Sequence, residues 1–448
     1  MTMFDLPAGA AAIIRRLNAN GHQAYVVGGC VRDSLLGKAP NDWDICTSAL
    51  PGDMQRIFRD MHVVETGLKH GTLTVVIDHQ PYEVTTFRVD GAYTDHRHPD
   101  EVTFVADVRE DLARRDFTVN AMAYHPELGV VDVFGGQEDL ARGVLRCVGE
   151  PGQRFDEDAL RILRALRFAS TYGLTIEEHT ARAVHSLKHT LSGVAAERIR
   201  VELAKLLCGR GAGDILRAYH DVICQVLPAL SPMIGFDQRT PFHRYDVWEH
   251  TVRAVEAVPA REVLRLTMLL HDSGKPSAFT VDENGIGHAY GHQKISRGIA
   301  EEALTFLRAD NATRDRVLVL VEHHDIPMNG ERTLLKRRLN QFGEETVRQL
   351  IEVQRADAMG KGTMTVQEIE TRTAEVFRAL EELLASNPCV TLKDLAVRGD
   401  DLIRMGIKGK AIGQCLAHLL DEVMAERLEN QREILLDAAE QWKLEALG

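Results

Sequence analysis

Two acidic residues one position apart, Asp42 and Asp44, follow two glycines and an arginine in the stretch VVGGCVRDSLLGKAPNDWDICTS. A helix would separate their carboxylates by about 200° around its axis, whereas a strand points alternate side chains to one face. The spacing therefore predicts a strand that presents both carboxylates together, with Trp43 and Ile45 packed beneath it. Two carboxylates on one face can hold a pair of Mg²⁺ ions for phosphoryl transfer.

The glycines ahead of this acidic pair suit phosphate binding. Gly28 and Gly29 let backbone N–H groups approach a phosphate without an intervening Cβ, and Arg32 adds a guanidinium that can chelate its oxygens. The structural alternative is a plain turn with a surface ion pair between Arg32 and Asp33. In combination with the acidic pair, the spacing favours a site for a nucleoside triphosphate and two metal ions.

The elements that position these residues divide the chain by pattern. Residues 1–148 contain short segments with the residue pattern typical of strands, and Gly- and Asp-rich turns separate them. The predicted strands are AYVVGG, WDICT, GTLTVVI, YEVTTF, EVTFVA and VVDVF. Beyond residue 148 apolar residues recur at three- and four-residue spacing. The predicted fold class is α+β, and the predicted regions are a head with a small β-sheet (1–148), an all-α neck (149–235), a helical body (236–362) and a helical tail (363–448).

Composition is that of an ordinary soluble globular protein. The chain has 448 residues, 44% of them hydrophobic, and a formal net charge of −13, which argues against a protein that coats nucleic acid non-specifically. Residues 154–217 are locally basic, with eleven Lys and Arg against eight Asp and Glu. Such a stretch suits either local phosphate binding or an ordinary charged helical surface.

No secretory signal, membrane span or disulfide framework is predicted. The seven cysteines are odd in number and scattered without CxxC spacing, as is typical of a reducing compartment. Arg15 and Arg16 interrupt the first apolar run, and no run reaches the ~18–20 apolar residues of a membrane span. We expect a cytoplasmic protein with no membrane partner, and the sequence leaves its oligomeric state open.

Five ordered motifs carry a family resemblance. GGCVRDSLLG followed by NDWDICTSA resembles the active-site signature of the class II nucleotidyltransferases that add CCA to tRNA, and of their bacterial poly(A) polymerase relatives. The match continues through EVTTFRVDGAYTDHRHPDEVTF, RRDFTVNAMA, EDALRILRALRFA and AAERIRVEL. The resemblance implies that residues 1–148 are a nucleotidyltransferase catalytic head.

The resemblance also implies roles in the head. Arg115 would bind the triphosphate of the incoming nucleotide, as a guanidinium fork can, with Asp116 and Asn120 shaping the ribose side. Glu83 is either a third carboxylate near the metal ions or a structural partner for an arginine. In this family an intact flexible loop with residues such as Arg88 and Asp90 accompanies the switch from C addition to A addition.

A helix over EDALRILRALRFA would present Asp158 and Arg161 as neighbours on one face. Cytosine and adenine both show an amino donor beside a ring-nitrogen acceptor, so one Asp/Arg pair can accept both, whereas uracil and guanine present the reverse pattern. The alternative is an ordinary amphipathic helix with intrahelical ion pairs. The resemblance places base recognition at Asp158 and Arg161, and supporting phosphate or RNA contacts at Arg164 and Arg167.

The last family motif is predicted to be structural and the tail to bind RNA, and neither is predicted to take part in the reaction. Glu197 and Arg198 in AAERIRVEL are interpreted as structural, bracing the neck. The helical tail is expected to contribute to tRNA binding.

The body contains a second set of residues with metal-ligand chemistry. The order H…HD…D resembles the HD phosphohydrolase superfamily, whose histidines and carboxylates bind a divalent metal that activates water. The predicted site residues are His250, His271, Asp272, His292, His323 and Asp357, and His288 and His324 are further candidates for a second metal position or phosphate. An HD-type body of this kind either hydrolyses RNA ends or serves only as a scaffold.

The reaction implied by the resemblance is CCA addition to the 3′ end of tRNA from CTP and ATP, with two Mg²⁺ ions in the head and release of pyrophosphate. A divalent metal in the body would support an additional phosphohydrolase activity. The alternatives are a bacterial poly(A) polymerase, an enzyme that adds only A, or an HD phosphohydrolase whose head merely binds RNA.

Overall fold

The computed structural model describes residues 4–65, 67–91 and 102–447, and the chain forms two compact units, Met1–Pro228 and Ala229–Gly448. Each unit is described by itself. None of the described helices is both long and apolar enough to cross a membrane.

The first unit contains eleven strands among its described residues. They are β1 (Ala24–Val27), β2 (Ile45–Thr47), β3 (His62–Val64), β4 (Thr72–Ile77), β5 (Gln80–Thr86), β6 (Arg88–Asp90), β7 (Val102–Phe104), β8 (Met122–His125), β9 (Gly129–Asp132), β10 (Val144–Leu145) and β11 (Thr175–Ile176). Seven of them form one sheet in the order β3-β4-β5-β2-β1-β8-β9. The pair β2–β5 is parallel and every other neighbouring pair in this sheet is antiparallel.

Eleven helices accompany these strands in the described part of the unit. They are α1 (Ala8–Ala19), α2 (Gly29–Leu35), α3 (Pro51–Ile57), α4 (Val108–Ala113), α5 (Gly136–Ala141), α6 (Pro151–Glu157), α7 (Leu160–Tyr172), α8 (Glu178–Leu187), α9 (Ala196–Leu207), α10 (Ala212–Ala218) and α11 (His220–Val226). One face of the sheet packs on a core that includes Tyr25, Val27, Cys46, Phe87 and Leu112.

The six predicted strands correspond to β1, β2, β4, β5, β7 and β9. Five described strands, β3, β6, β8, β10 and β11, were not predicted. In β8 the reason is that all four residues are buried, so its sequence shows no alternation. The neck is not purely helical as predicted, since its β11 pairs in parallel with β10 of the head. The mixed α+β class itself is confirmed.

The second unit is built mainly of helices. They are α12 (Val247–Ala257), α13 (Glu262–Leu270), α14 (Lys275–Ala278), α15 (His292–Phe306), α16 (Asn311–Glu322), α17 (Arg332–Lys361), α18 (Val366–Ala385), α19 (Gly399–Arg404), α20 (Lys410–Met424) and α21 (Arg432–Leu447). A small hairpin joins β12 (Thr280–Val281) to β13 (Gly287–His288), which the all-helical prediction omitted. Helix α17 is broken at Gly343, whose φ is 75°.

Two apolar clusters organise the C-terminal half of this unit. Leu335 and Leu339 of α17 pack with Leu380 and Leu383 of α18. The tail has its own core, with Leu402, Ile407 and Leu419 at its centre. Burial of these side chains, rather than helix propensity alone, holds the helices together.

Candidate active site

Asp42 and Asp44 lie on an extended segment that leads into β2. Both side chains are exposed, while Trp43 and Ile45 between and after them are buried. The Asp44 carbonyl accepts a hydrogen bond of 2.9 Å from the Val27 amide, so the backbone already pairs with β1 one residue before β2 begins. The predicted alternation is therefore present, although the regular strand starts only at Ile45.

Glu83 of β5 lies beside this acidic pair. The parallel register joins Ile45 to Val84, so the preceding residues, Asp44 and Glu83, are neighbours across the two strands. The surrounding protein removes water from the Asp44 carboxylate, and the negative charges of Asp42 and Glu83 add repulsion; together these raise the pKa of Asp44 to about 6, against the opposing effect of Arg115. Asp42 and Glu83 thus both lie close enough to Asp44 to act on its charge.

Gly28 and Arg115 form the opposite, positively charged side of this region. Gly28 has φ of 82°, and a Cβ placed on it would lie 2.9 Å from Arg115 Nη1. Arg115 is itself held by Asp111, with Nη2 to Oδ2 at 3.3 Å. A glycine is therefore required here both by its backbone conformation and by the closeness of the guanidinium.

Arg32 is buried rather than displayed on the surface. Its guanidinium contacts Asp33 at 2.9 Å, Asn120 Oδ1 at 2.5 Å and the Tyr172 hydroxyl at 2.5 Å. It also stacks over the Tyr172 ring at 4.3 Å. The predicted phosphate ligand is thus fully engaged with protein groups and connects α2 to α7. Sequence reasoning missed Tyr172 because no local pattern marks it.

Asp116 continues this polar network into the neck. Its carboxylate accepts hydrogen bonds from the Asn120 amide at 3.1 Å and from Arg164 Nη2 at 2.6 Å. Burial would raise the pKa of Asp116, but Arg164 and Asn120 stabilise the carboxylate and lower its pKa to about 2. The chain of contacts from Arg32 through Asn120 and Asp116 to Arg164 ties the nucleotide-side motifs together.

The prediction that Asp158 and Arg161 share one helix face is wrong. Asp158 is extended, with φ −144° and ψ 103°, and separates α6 from α7. Its side chain accepts a hydrogen bond from the Leu160 amide at 3.0 Å. An aspartate side chain that bonds the backbone amide two residues on forms an Asx-turn, and this local contact competes with the continuous helix that the sequence pattern favoured.

Each of these two residues has another ionic partner. Asp158 pairs with Arg198 at 2.7 Å, and Arg161 pairs with Glu157. Arg198 was interpreted as a brace for the neck, and its contact with Asp158 brings it into the candidate site. Both candidate base-recognition groups therefore already have protein partners.

The remaining predicted residues of the first unit are Arg167, Arg88 and Asp90. Arg167 pairs with Glu202 at 2.5 Å and lies 3.9 Å from the centroid of the Phe168 ring. The Arg88 amide donates to Asp111 Oδ1 at 3.3 Å. The Asp90 side chain and most of the predicted flexible loop, residues 92–101, lie outside the described residues.

A cluster of histidines and aspartates occupies the core of the second unit. Two sets of ligand atoms lie within 4.8 Å of one another in the described residues: His250, His271, Asp272 and Asp357, and Asp272, His292 and His324. His250 Nε2 is 3.0 Å from Asp272 Oδ2, and His292 Nε2 is 3.1 Å from Asp272 Oδ1. Asp272 is therefore common to both sets, one carboxylate oxygen facing each.

His323 is not part of this cluster, contrary to the prediction. Its ring packs against Phe342, with centroids 4.8 Å apart. His324 takes the place instead, with Nε2 3.4 Å from His292 Nε2. His288 lies outside both sets and binds Asp282 at 2.9 Å. The sequence HHD could not decide between the two histidines because α16 ends at Glu322, and helical spacing no longer applies beyond it.

Backbone carbonyls orient three of the imidazoles. The Nδ1 atoms of His271, His292 and His324 lie 2.7 to 2.8 Å from the carbonyl oxygens of Met268, Ala289 and Val321. Because a carbonyl only accepts, each Nδ1 donates, and Nε2, which faces the aspartates, is the nitrogen left to bind a metal once it carries no proton. Metal-binding histidines are held in this way, so this donor set fits a divalent transition metal.

Two lysines border the same cluster. Lys275 Nζ is 2.6 Å from Asp272 Oδ2, and Lys361 Nζ is 2.5 Å from Asp357 Oδ2. Burial lowers the pKa of His271, but Asp272 and Asp357 outweigh it and raise that pKa to about 9. Lys275 follows the HD pair within HDSGK, and Lys361 lies in GKGT; neither was predicted as a site residue.

Family models match three parts of the chain. The Poly A polymerase head domain matches residues 24–146, the probable RNA and SrmB- binding site of polymerase A matches residues 173–231, and a putative tRNA nucleotidyltransferase domain 2 matches residues 292–439.

Whole-chain relatives are similar throughout. The CCA-adding enzyme of Lactiplantibacillus plantarum is 33% identical over 98% of both chains, and that of Enterococcus faecalis is 34% identical over 96% of this chain and 95% of its own. The crystal structure of the Bacillus stearothermophilus CCA-adding enzyme in complex with CTP has a TM-score of 0.73 and 30% identity, covering 98% of both chains.

Proposed function

Because the chain belongs to the CCA-adding enzyme family and is thus a tRNA nucleotidyltransferase, we propose that it completes the 3′ end of tRNA with C, C and A from CTP and ATP. In each step the tRNA 3′-oxygen forms a bond to the α-phosphorus, and the bond between that phosphorus and the α–β bridging oxygen breaks. Pyrophosphate leaves. The grouping of Asp42, Asp44 and Glu83 opposite Gly28 and Arg115 carries this assignment.

Asp42 and Asp44 are the residues that would hold Mg²⁺, with Glu83 beside them. Burial, followed by repulsion from Asp42 and Glu83, raises the pKa of Asp44, and this fits a cation, since a positive ion between these oxygens would stabilise the ionised carboxylate. Mg²⁺ is bound by one or two carboxylates together with substrate phosphates, rather than by a complete protein cage. When bound, it lowers the pKa of the attacking hydroxyl and neutralises charge on the leaving pyrophosphate.

The triphosphate is held by the positively charged side of the same region. Arg115, fixed by Asp111, supplies a planar guanidinium for phosphate oxygens. Gly28 lets the backbone approach because no Cβ intervenes. Arg32 acts as a positioning residue in this scheme, since its contacts with Asn120 and Tyr172 fix α2 behind the glycine turn.

Base selection is assigned to Asp158 and Arg161 by exchange of partners. An incoming C or A offers an amino donor to Asp158 and a ring nitrogen to Arg161, replacing Arg198 and Glu157 respectively. Uracil or guanine would place a carbonyl acceptor against Asp158 and a ring N–H donor against Arg161. Each unpaired buried group would then cost about 1–3 kcal/mol. The support for this role is that both groups are charged and largely buried, and that each has an ionic partner whose place a base could take.

Single-nucleotide addition tests this function directly. Three tRNAs, ending before the first C, after C and after CC, are incubated with each nucleotide in turn. We expect CTP to extend the first two and ATP the third, with GTP and UTP inactive. A long ladder of A residues would identify a poly(A) polymerase instead, and extension of only the CC-ending tRNA would identify an enzyme that adds A alone.

A second activity is favoured by the buried histidine cluster. We propose that His250, His271, Asp272 and Asp357, with His292 and His324, form an HD-type centre for a divalent metal that hydrolyses phosphate esters. The support is the inward orientation of the Nε2 atoms and the sharing of Asp272 between both ligand sets. The metal, when bound, supplies an activated water; Lys275 and Lys361 add positive charge for the phosphate.

Metal binding and hydrolysis test the second activity separately. Isothermal titration with Mn²⁺ should show binding that disappears in Asp272→Ala, and hydrolysis of adenosine 2′,3′-cyclic phosphate should disappear with it. Hydrolysis should survive Asp42→Ala, while nucleotide addition should not. Binding without hydrolysis would leave the cluster a structural metal site, and hydrolysis with no addition in the unmodified chain would make the head a mere RNA-binding part.

A further inference from the structure

The cavity beside the histidine cluster has an aromatic rim that the metal ligands do not require. Its volume is about 300 Å³. Its lining includes the charged residues Asp272, Lys275 and Lys361, and also the aromatic residues Phe242 and Tyr290. A cavity at the small end of the ~300–1,000 Å³ range of ligand sites has room for a small ligand such as a single nucleotide and not for a duplex.

The two rim aromatics are unusually exposed. Phe242 is 69% and Tyr290 80% accessible to solvent, the highest values among the large hydrophobic side chains described. Phe236 and Phe279, which line the same cavity, instead pack edge-on against each other with centroids 5.1 Å apart. The exposed pair therefore contributes little to the core, and its position at a polar cavity calls for a ligand.

Tyr290 is held ready for stacking. Its ring lies parallel to that of His288, with an interplanar angle of 9° and centroids 5.1 Å apart. His288 is anchored in turn by Asp282 at 2.9 Å. Because the tyrosine remains 80% exposed, one face is supported and the other is open to solvent. An open aromatic face beside cationic groups is the arrangement that binds nucleobases next to their phosphates.

We propose that Phe242 and Tyr290 bind the base of a nucleoside phosphate whose phosphate group meets the histidine cluster and its two lysines. This inference rests on the proposed phosphohydrolase activity and adds its specificity: nucleoside phosphates are selected over small esters that lack a base. Stacking of one base on an aromatic side chain is worth about 5- to 150-fold in affinity. The two residues therefore act through substrate binding, not through the reacting atoms.

Kinetics on the full-length chain with Mn²⁺ test the rim. The substrates are adenosine 2′,3′-cyclic phosphate, a short RNA ending in a 2′,3′-cyclic phosphate, and glycerol 2-phosphate as the ester without a base. In Tyr290→Ala and Phe242→Ala we expect KM for the first substrate to rise at least fivefold with kcat within about twofold. Tyr290→Phe should resemble the unmodified chain, and glycerol 2-phosphate should respond to none of these changes.

The RNA distinguishes the two sources of the same chemistry. If the terminal nucleotide of an RNA is the ligand, its KM should rise in parallel with that of the mononucleotide. An unchanged KM for the RNA would restrict the proposal to free nucleotides. Phe306→Ala is the matched control, because Phe306 is 50% exposed in the same unit and does not line the cavity. An equal KM in Tyr290→Ala and Phe306→Ala would overturn the proposal.

Fluorescence gives a readout independent of hydrolysis. Stacking quenches 2-aminopurine, so 2-aminopurine riboside 2′,3′-cyclic phosphate should be quenched more by the unmodified chain and Phe306→Ala than by Tyr290→Ala, in the presence of EDTA. Circular dichroism confirms that each variant is folded. If no ester is hydrolysed, the phosphohydrolase proposal fails and this measurement alone decides: equal quenching by all variants would refute the aromatic site.

Discussion

The side chain of Asp44 has two negative neighbours, Asp42 and Glu83, and one positive neighbour, Arg115. In the protein alone, burial of the Asp44 carboxylate and repulsion from this negative pair outweigh Arg115, so the ionised carboxylate lowers the stability of the folded chain. The proposed Mg²⁺ site uses the same crowding of charge. Activity and stability are therefore expected to respond in opposite directions when this charge is removed.

Asp44→Asn should lower single-nucleotide addition about a thousandfold, because loss of one metal ligand removes several kcal/mol of transition-state stabilisation. Its melting temperature in EDTA should equal or exceed that of the unmodified chain, since the repulsion is gone. Mg²⁺ with CTP should raise the melting temperature of the unmodified chain more than that of the variant. Asp5→Asn, an exposed charge in the head, should change neither quantity.

Asp116 gives a prediction with a defined pH dependence. Its pKa is about 2 in the folded chain and about 3.9 when unfolded. A carboxyl whose pKa falls on folding stabilises the protein above the unfolded value, and that contribution is lost as pH falls through the folded value. Asp116→Asn should therefore lower the free energy of unfolding by about 2 kcal/mol at pH 7.

The difference between the two proteins should shrink to about half at pH 3, because Asp116 is then largely protonated only in the unfolded chain. Urea unfolding between pH 7 and pH 3 measures this. A difference that stays constant over that interval would show that the Asp116–Arg164 contact is not stabilising through its charge.

Two glycines at the start of helix α2, Gly28 and Gly29, differ in how well their positions would tolerate a Cβ. Gly28 has a positive φ and lies against Arg115, whereas Gly29 has no positive φ and a Cβ there would be at an ordinary 3.5 Å from Arg32 Nη2. Gly28→Ala should lower stability by about 1–3 kcal/mol and raise KM for CTP, because the strained turn displaces the guanidinium. Gly29→Ala should cost less than about 1 kcal/mol in thermal unfolding, and equal losses would contradict this account.

Helix α17 approaches α12 closely at Gly360. A Cβ at this position would lie 2.7 Å from the His250 carbonyl oxygen and 2.8 Å from its Nδ1. Gly360→Ala should therefore push His250 away from Asp357 and weaken Mn²⁺ binding at least tenfold in isothermal titration, while nucleotide addition stays near normal. Gly298→Ala in the exposed middle of α15 has open space and should stabilise by about 0.5–1 kcal/mol without weakening Mn²⁺ binding.

Across the chain, the predictions that succeeded rest on periodicity and on short-range order. Alternation placed Asp42 and Asp44 on the exposed side and Trp43 in the core. The order H…HD…D brought together His250, Asp272 and, from a helix 85 residues farther on, Asp357. The alternation could be predicted because it depends on residues that are adjacent in the sequence. The histidine and aspartate positions could be predicted because they lie on or beside helices whose buried faces are visible in the sequence.

The features that sequence could not supply depend on distant partners. The sequence around Asp158 predicts a continuous helix, because an aspartate is compatible both with helical spacing and with the local turn that it forms here with the Leu160 amide. Nothing in the sequence pairs Asp158 with Arg198 or Arg32 with Tyr172. These contacts arise only when strands and helices far apart in sequence are packed together.

The ionic pairing of the two groups proposed for base recognition, Asp158 and Arg161, has a consequence for fidelity. Arg198 and Glu157 already pair with Asp158 and Arg161. An incoming base must therefore displace both partners before it can form its own hydrogen bonds to these two groups. A base that complements only one of the two groups would leave the other without a partner, so such a base would dissociate quickly. The pocket would then retain only a base that pairs with both groups at once.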